Sequence, residues 1–314
     1  MWLQPSLPAP AKEAPVKGQR TREKTQVLTE PTFFPFPSKH GLLFVGLGLY
    51  DDLGLSSKAL EALKASDIVY IETYTSVLPG FDKQRFSDRI GKTPIEVARR
   101  DLEDKGASVL FESAKTRLVA LAVPGDPFVA TTHYYLWAKA REAGLQTYYV
   151  PGVSVYSAAY AASGLQVYKA GPSCTVVEPT ETYRPVSQYD KTLRNMSQGL
   201  HTLMLLDLSN DARRTLSYAR AAQLFSERLS ALRLSPKDVV AVGIAALGSD
   251  KCTVEAASVH RLTASQNALM PQCMLVPGIP DETEAKALIQ LGATEEEIAV
   301  HVATCKTAGG KIHF

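Results

Sequence analysis

Hydrophobic positions recur regularly only from Gly41 onward, and there they alternate between two patterns. Leu42 to Leu47, Ile68 to Glu72, Leu118 to Val123 and Tyr148 to Val150 are short, mostly uncharged runs, suited to strands covered on both faces. Between them the spacing turns helical. Ser56 or Ser57 caps a segment carrying Ala59, Leu60 and Leu63, and a further helix is predicted over Ile95 to Glu103. Thr131 or Thr132 caps a segment with Tyr135, Leu136 and Ala140 that stops at Gly144. Pro151-Gly152 leads into another, capped by Ser154 and closed by Gly164. Strands separated by such helices imply right-handed crossovers and a mostly parallel sheet.

From about Gly171 the balance shifts towards strands. His201 to Leu206, Val239 to Ala245, Cys252 to Glu255, His260 to Thr263 and Cys273 to Val276 all read as strands, with one long helix over Thr215 to Leu232. A mixed sheet accommodates them. The expected fold class is therefore α/β in two domains, a mostly parallel one over 41–168 and a mixed one over 169–314. The break falls where Gly164 and Gly171-Pro172 interrupt both periodicities. Residues 1–40 hold seven prolines and almost no periodic apolar pattern, which predicts a disordered extension unable to offset its ordering entropy by burial.

Composition narrows the function. A formal net charge of +2 over 314 residues, with basic and acidic side chains interspersed, gives no surface for nucleic acid. Cys174, Cys252, Cys273 and Cys305 are too scattered for a disulfide framework or a zinc site. No apolar run approaches membrane-spanning length, and the extension lacks an apolar signal core. The expected location is the cytoplasm, with no membrane contact.

Two loops carry candidate chemistry. Gly46-Leu47-Gly48 follows a buried strand and lets backbone approach a ligand where a Cβ would collide. Asp51 stands where a dinucleotide loop would have its third glycine, and no P-loop element is present. The carboxylates of Asp51 and Asp52 suit a cofactor with cationic or hydroxyl groups better than one rich in phosphate. A plain glycine turn feeding a helix is the other reading. In Val123-Pro124-Gly125-Asp126-Pro127-Phe128 a rigid turn places Asp126 at a strand's carboxyl end, where open α/β sheets bind ligands. There it can accept from a ligand's ammonium or hydroxyl groups or close an Asx turn on its own backbone. Thr131, Thr132 and His133 follow, the threonines as caps.

Seven segments together carry a resemblance. They are LLFVGLGLYD (Leu42 to Asp51), YIETYTS (Tyr70 to Ser76), VPGDPFVATTH (Val123 to His133), GLQVY (Gly164 to Tyr168), ETYRP (Glu181 to Pro185), Tyr189-Asp190-Lys191 and GLHTLMLLD (Gly199 to Asp207). In this order the chain resembles the diphthine synthase family, whose wider relatives, the tetrapyrrole methylases, share the GDP loop. The resemblance implies two α/β domains of the tetrapyrrole methylase type, with S-adenosyl-L-methionine in a cleft between them. It places the cofactor against Leu49, Asp126, Val129, Ser154, Val155, Leu206, Leu247 and Gln272. The chain departs from the family at Tyr50 and Val129, where glycine is expected, at Gln272, near a family histidine, and at Gly152-Val153 before Ser154.

The implied reaction is methyl transfer to the modified histidine of translation elongation factor 2, in diphthamide biosynthesis, by a homodimer. Glu72, Tyr74, Asp126 or His133 could assist deprotonation of an amine acceptor. Arg184, by its fork geometry, suits a carboxylate or a phosphate, or else a salt bridge bracing the domains. The alternatives are a precorrin-type tetrapyrrole methylase and a noncatalytic homologue that binds elongation factor.

Overall fold

The computed structural model describes residues 39–72, 74–103, 107–208 and 215–308. The expected extension lies, apart from Lys39 and His40, outside the described residues. The first half runs β1 (Gly41–Gly46), α1 (Ser57–Ala65), β2 (Ile68–Glu72), α2 (Lys83–Ile90), β3 (Ile95–Val97), α3 (Arg99–Leu102), α4 (Ser108–Ala114), β4 (Leu118–Val123), α5 (His133–Glu142), β5 (Thr147–Val150) and α6 (Val155–Ser163). The second runs β6 (Cys174–Val176), α7 (Ser187–Ser197), β7 (Thr202–Leu206), α8 (Tyr218–Ala231), β8 (Val240–Ala245), β9 (Thr253–Ser258), α9 (Val259–Leu262), β10 (Gln272–Val276), α10 (Glu282–Gln290) and α11 (Glu295–Ala308).

The first sheet has the order β3-β2-β4-β1-β5 and is parallel throughout. Its central strands β1 and β4 are buried at every residue, because helices cover both faces. Alternation along β1 divides the core. Leu43 and Val45 pack with Ala59, Leu63, Phe86 and Ile90, while Leu42 and Phe44 pack with Leu102, Leu110, Leu136 and Ala140.

The second sheet, β6-β7-β10-β8-β9, is mixed as expected: β6 runs parallel to β7, and the remaining pairs are antiparallel. Met204, Ala241, Met274 and Val276 face Tyr189, Leu193, Phe225 and Cys305 on one side. On the other, Leu203, Val242 and Leu275 face Leu288, Ile298 and also Ala159 and Tyr160 of α6. That helix starts at the end of the first sheet and is buried against the second.

Two expected elements differ. The helix predicted over 95–103 is a three-residue edge strand and one helical turn. Ile95 and Val97 pair with Tyr70 and Glu72, where β-branched residues fit a pleated edge, and Asp101 then accepts from Ala98 N to turn the chain. The strand predicted over 260–263 is α9: Ser258 accepts from Arg261 N, and Val259 and Leu262 are buried one turn apart. A short apolar segment fits both periods, and the cap decides between them.

Helices α10 and α11, which the hydrophobic pattern does not announce, are tied in by buried polar groups. Asp281 and Glu284 form a reciprocal capping box. Glu284 also accepts from Gln166 N (2.9 Å), from Lys169 and from His201 Nε2 (2.9 Å). His201 Nδ1 accepts from Gly278 N, which leaves its proton on Nε2, facing Glu284. His301 of α11 accepts from Val240 N at 3.1 Å and donates to the carbonyls of Pro277 and Gly278. Burial pushes its pKa down to about 4.

That depression fixes an acid sensitivity. The unfolded chain protonates His301 near the ordinary 6.5 and the folded chain only near 4, so between these values the unfolded state binds more protons. Stability should be full above pH 6.5 and fall as the pH drops towards 4. His301→Gln should be less stable at pH 7 by about 1–3 kcal/mol, through unpaired buried groups, and show a shallower acid slope. Urea denaturation at several pH values measures both; parallel slopes would contradict the assignment.

Candidate functional site

Strands β1, β4 and β5 end at the same edge of the first sheet, and the chains leaving them cross without side chains between them. Gly48 and Gly125 exchange two backbone hydrogen bonds, of 3.2 and 2.7 Å. A Cβ on Gly152 would lie 2.1 Å from the Gly125 carbonyl oxygen, and one on Gly46 would lie 2.4 Å from Gly152 N. No other residue type fits at either place. The glycine loop is thus more than a turn feeding a helix, since its backbone is held directly against two neighbouring loops.

Asp126 locks this crossing. Its Oδ1 accepts from Phe128 N at 2.9 Å, closing the Asx turn, and its Oδ2 accepts from the Tyr149 hydroxyl at 2.6 Å and Gly152 N at 3.1 Å. Burial first, and the Asp126 carboxylate second, raise the pKa of Tyr149, so the phenol stays protonated as a donor. Three donors occupy three of about four lone-pair positions on the carboxylate. Asp126 is 5% exposed and lies at the cavity wall.

Beside the crossing opens a cavity of about 520 Å³, within the roughly 300–1,000 Å³ of small-molecule sites. Its wall comes from loops at the ends of both sheets and includes all eight residues named from the sequence: Leu49, Asp126, Val129, Ser154, Val155, Leu206, Leu247 and Gln272. Leu49 lies against Gly248, where a Cβ would approach the Leu49 Cβ to 2.8 Å. Ser154 caps α6 and accepts from Tyr156 N at 3.1 Å. The side chain of Gln272 is engaged elsewhere: it accepts from Tyr218 N (2.7 Å) and donates to the carbonyls of Asn267 and Leu269.

The two substitutions of glycine have different consequences. Tyr50 keeps a left-handed backbone, φ 68°, which costs a non-glycine residue about 1–2 kcal/mol, and its ring packs on Gly80. At the other loop the left-handed residues are Gly125, φ 71°, and Ala130, φ 58°. Val129 therefore needs no glycine conformation and presents a 38% exposed side chain to the cavity.

Of the other candidates, Thr131 and Thr132 line the cavity, while Asp51, Asp52, Glu72, His133 and Arg184 lie apart from its wall. Asp52 is fully buried and bound by Arg85 (Nε to Oδ2, 2.9 Å) and Arg89, and Asp51 accepts from Leu53 N and Gly54 N. The acidic pair thus braces the loop, contrary to the expectation that it faces a ligand. His133 is buried, and among the described residues neither ring nitrogen has a hydrogen-bond partner; its Nε2 lies 3.5 Å from Glu72 Oε1. Glu72 accepts from Tyr74 N and Thr75 N. Thr132 occupies the cap position of α5 without a side-chain cap bond, and Thr131 accepts weakly from His133 N at 3.3 Å. Arg184 is exposed and forms no ion pair among the described residues.

The cavity also gathers residues that the sequence does not single out as a group: Thr75, Arg99, Glu103, Thr175 and Asp207 join Tyr74 along its wall. Arg99 and Glu103 stand at helical spacing, a signal that the length of the expected helix obscures. Among the described residues, no cluster of His, Cys, Asp and Glu suits a metal ion, and no helix is long and apolar enough to cross a membrane.

Comparison with known proteins places these features. Residues 41–263 match the tetrapyrrole (corrin/porphyrin) methylases. The chain is 34% identical over 259 residues to a diphthine synthase of Methanosphaera stadtmanae, covering 82% of this chain and 98% of that one. It is 35% identical over 267 residues to a diphthine synthase of Methanosarcina mazei, covering 83% and 99%. A crystal structure of diphthine synthase superposes with a TM-score of 0.74 at 32% identity, over 82% of this chain and 99% of that one.

The glycine crossing is directly testable. Gly152→Ala forces its methyl into the Gly125 carbonyl and should cost about 3 kcal/mol or more, read as a lowered denaturation midpoint. A midpoint equal to the wild type would show that the loops part readily.

Proposed function

The chain belongs to the diphthine synthases of the tetrapyrrole methylase family, and we propose on that footing that it is an S-adenosylmethionine-dependent methyltransferase of diphthamide biosynthesis. Its acceptor in this reading is the modified histidine of translation elongation factor 2, met in the cytoplasm by a homodimer of this chain. The observation that carries the cofactor is the character of the cavity wall. Leu49, Val155, Leu206 and Leu247 offer apolar surface for adenine and the methionine chain. The ionisable acids on the wall are Glu103, Asp126 and Asp207, against the single cation Arg99, among the described residues. That balance favours a sulfonium over a phosphate-rich ligand.

The residues divide the work of holding it. Ser154 and the first amides of α6 sit at the positive end of a nine-residue helix, a place for the methionine carboxylate. The free lone pair of Asp126 remains for a ribose hydroxyl or the ammonium group. Backbone of the glycine crossing can reach the ligand because no Cβ intervenes. Val129 closes over this region with its side chain, and the amide and carbonyl of its segment supply polar contact. When bound, S-adenosylmethionine supplies a methyl group already activated by its sulfonium charge. The protein's part is to hold the acceptor nitrogen in line and keep water out, a positional effect of several powers of ten.

The alternatives draw no support from the site. Tyr50 preserves the left-handed turn that glycine would make, and Val129 lies outside such a turn, so the substitutions behind a noncatalytic reading leave the loops intact. A precorrin acceptor has no feature of the cavity in its favour.

Calorimetric titration with S-adenosylmethionine and with S-adenosylhomocysteine should give saturable binding, weakened by Asp126→Ala by about 1–3 kcal/mol. Radiolabelled methyl should pass to elongation factor 2 carrying the precursor and not to unmodified factor. Absence of cofactor binding, or affinity indifferent to Asp126→Ala, would overturn the respective assignments.

A further inference from the structure

The cofactor residues proposed above account for only part of the cavity wall. Much of the rest comes from the segment after β2, from α3 and from the loop before α5, which bring Tyr74, Arg99, Glu103 and Thr132 together. Arg99 opens α3 and Glu103 is its C-cap, still in the helical region of backbone space. Residues four apart in that conformation emerge on one side, and both of these are exposed and line the cavity.

An arginine and a glutamate so placed would ordinarily pair with each other, and here they do not. The Arg99 guanidinium carbon lies 5.1 Å from the centre of the Tyr74 ring. That cation–π contact holds one face of the guanidinium and leaves its N–H edge free. Arg99 has no acidic partner and Glu103 no cationic one among the described residues. Glu103 is instead oriented by the Thr132 hydroxyl, which donates to Oε1 at 3.1 Å. Among the described residues, the buried Tyr74 hydroxyl has no hydrogen-bond partner. Each charge is thus held by an uncharged neighbour and retains capacity for an incoming group.

We infer that Arg99 and Glu103 form the acceptor subsite and recognise an amino-acid-type zwitterion presented by a protein. Arg99 takes the carboxylate through its planar fork. Glu103 takes the neighbouring amino group, as an ammonium or as an N–H donor. The carboxylate clamp orients the amine for attack, and each methyl added removes an N–H donor from the Glu103 contact while the positive charge persists. A neutral hydroxyl acceptor can hydrogen-bond to either residue but forms an ion pair with neither. The inference rests on the methyltransferase reading above.

The test uses the full-length protein and elongation factor 2 carrying the precursor, alongside the same acceptor with its carboxylate amidated. Arg99→Met should raise the acceptor KM about tenfold or more and leave S-adenosylmethionine affinity unchanged by calorimetry. Arg99→Lys should recover part of the loss, because it restores charge without the fork. Amidation should impair the wild type and add nothing in Arg99→Met. Glu103→Gln should also raise acceptor KM with cofactor affinity intact. Unchanged acceptor KM in Arg99→Met, or equal sensitivity to amidation in both proteins, would overturn the subsite while leaving the methyltransferase reading standing. A wild type that neither binds S-adenosylmethionine nor transfers methyl would instead overturn that reading, and the subsite with it.

Discussion

Contact between bare backbones at Gly46, Gly125 and Gly152 is the constraint from which the site follows. Three parallel strands deliver their chains to one edge of the first sheet, and the chains can cross there only because no Cβ stands between them. The crossing brings Gly152 N within reach of the Asp126 carboxylate, which in turn anchors the Tyr149 hydroxyl and the turn to Phe128. It also sets where α6 begins, two residues further on at its Ser154 cap. A wider separation at this point would release Asp126 and shift the start of α6 together.

Helix α6 carries that constraint into the second sheet. Ala159 and Tyr160 are buried with Leu203, Val242 and Leu275, so the cap at Ser154 is held from both sides. Immediately beyond, Gln166 and Lys169 reach Glu284, which also binds His201. Burial works against its charge, yet these donors hold the Glu284 pKa down at about 2. A buried carboxylate is tolerated where every lone pair is met by a donor. Here it joins the segment after α6, the strand β7 region and α10 at one point. The cavity wall is therefore supported by polar groups well away from it.

Within the cavity, apolar surface and charge share one wall. Leucines and valines from loops of both sheets line it together with Val77 and Leu78 after β2, and Arg99 and Glu103 come from α3 and its end. The acidic pair that looks chemical in the sequence, Asp51 and Asp52, is absent from this surface. Asp52 is neutralised by Arg85 and Arg89 from α2, thirty-odd residues downstream.

Local chemistry determined much of this molecule before any packing was considered. The charge-free runs that form β1 and β4, the Ser56 and Ser154 caps, and the Gly164 stop with its left-handed backbone are properties of neighbouring residues, legible wherever they occur. The seven ordered segments identified the family, and with it the eight residues that the structure gathers in one cavity. Short segments such as 95–103 and 260–263 mislead because their apolar spacing fits two periods, and pairing at a sheet edge or a serine cap settles which is adopted. Only tertiary structure decided that Gln272 spends its side chain on Tyr218, Asn267 and Leu269, that Asp52 is structural, and that Arg99 and Glu103 face the same cavity without pairing. Those outcomes depend on partners distant in the chain, whose approach is set by packing of whole elements and which no local pattern encodes.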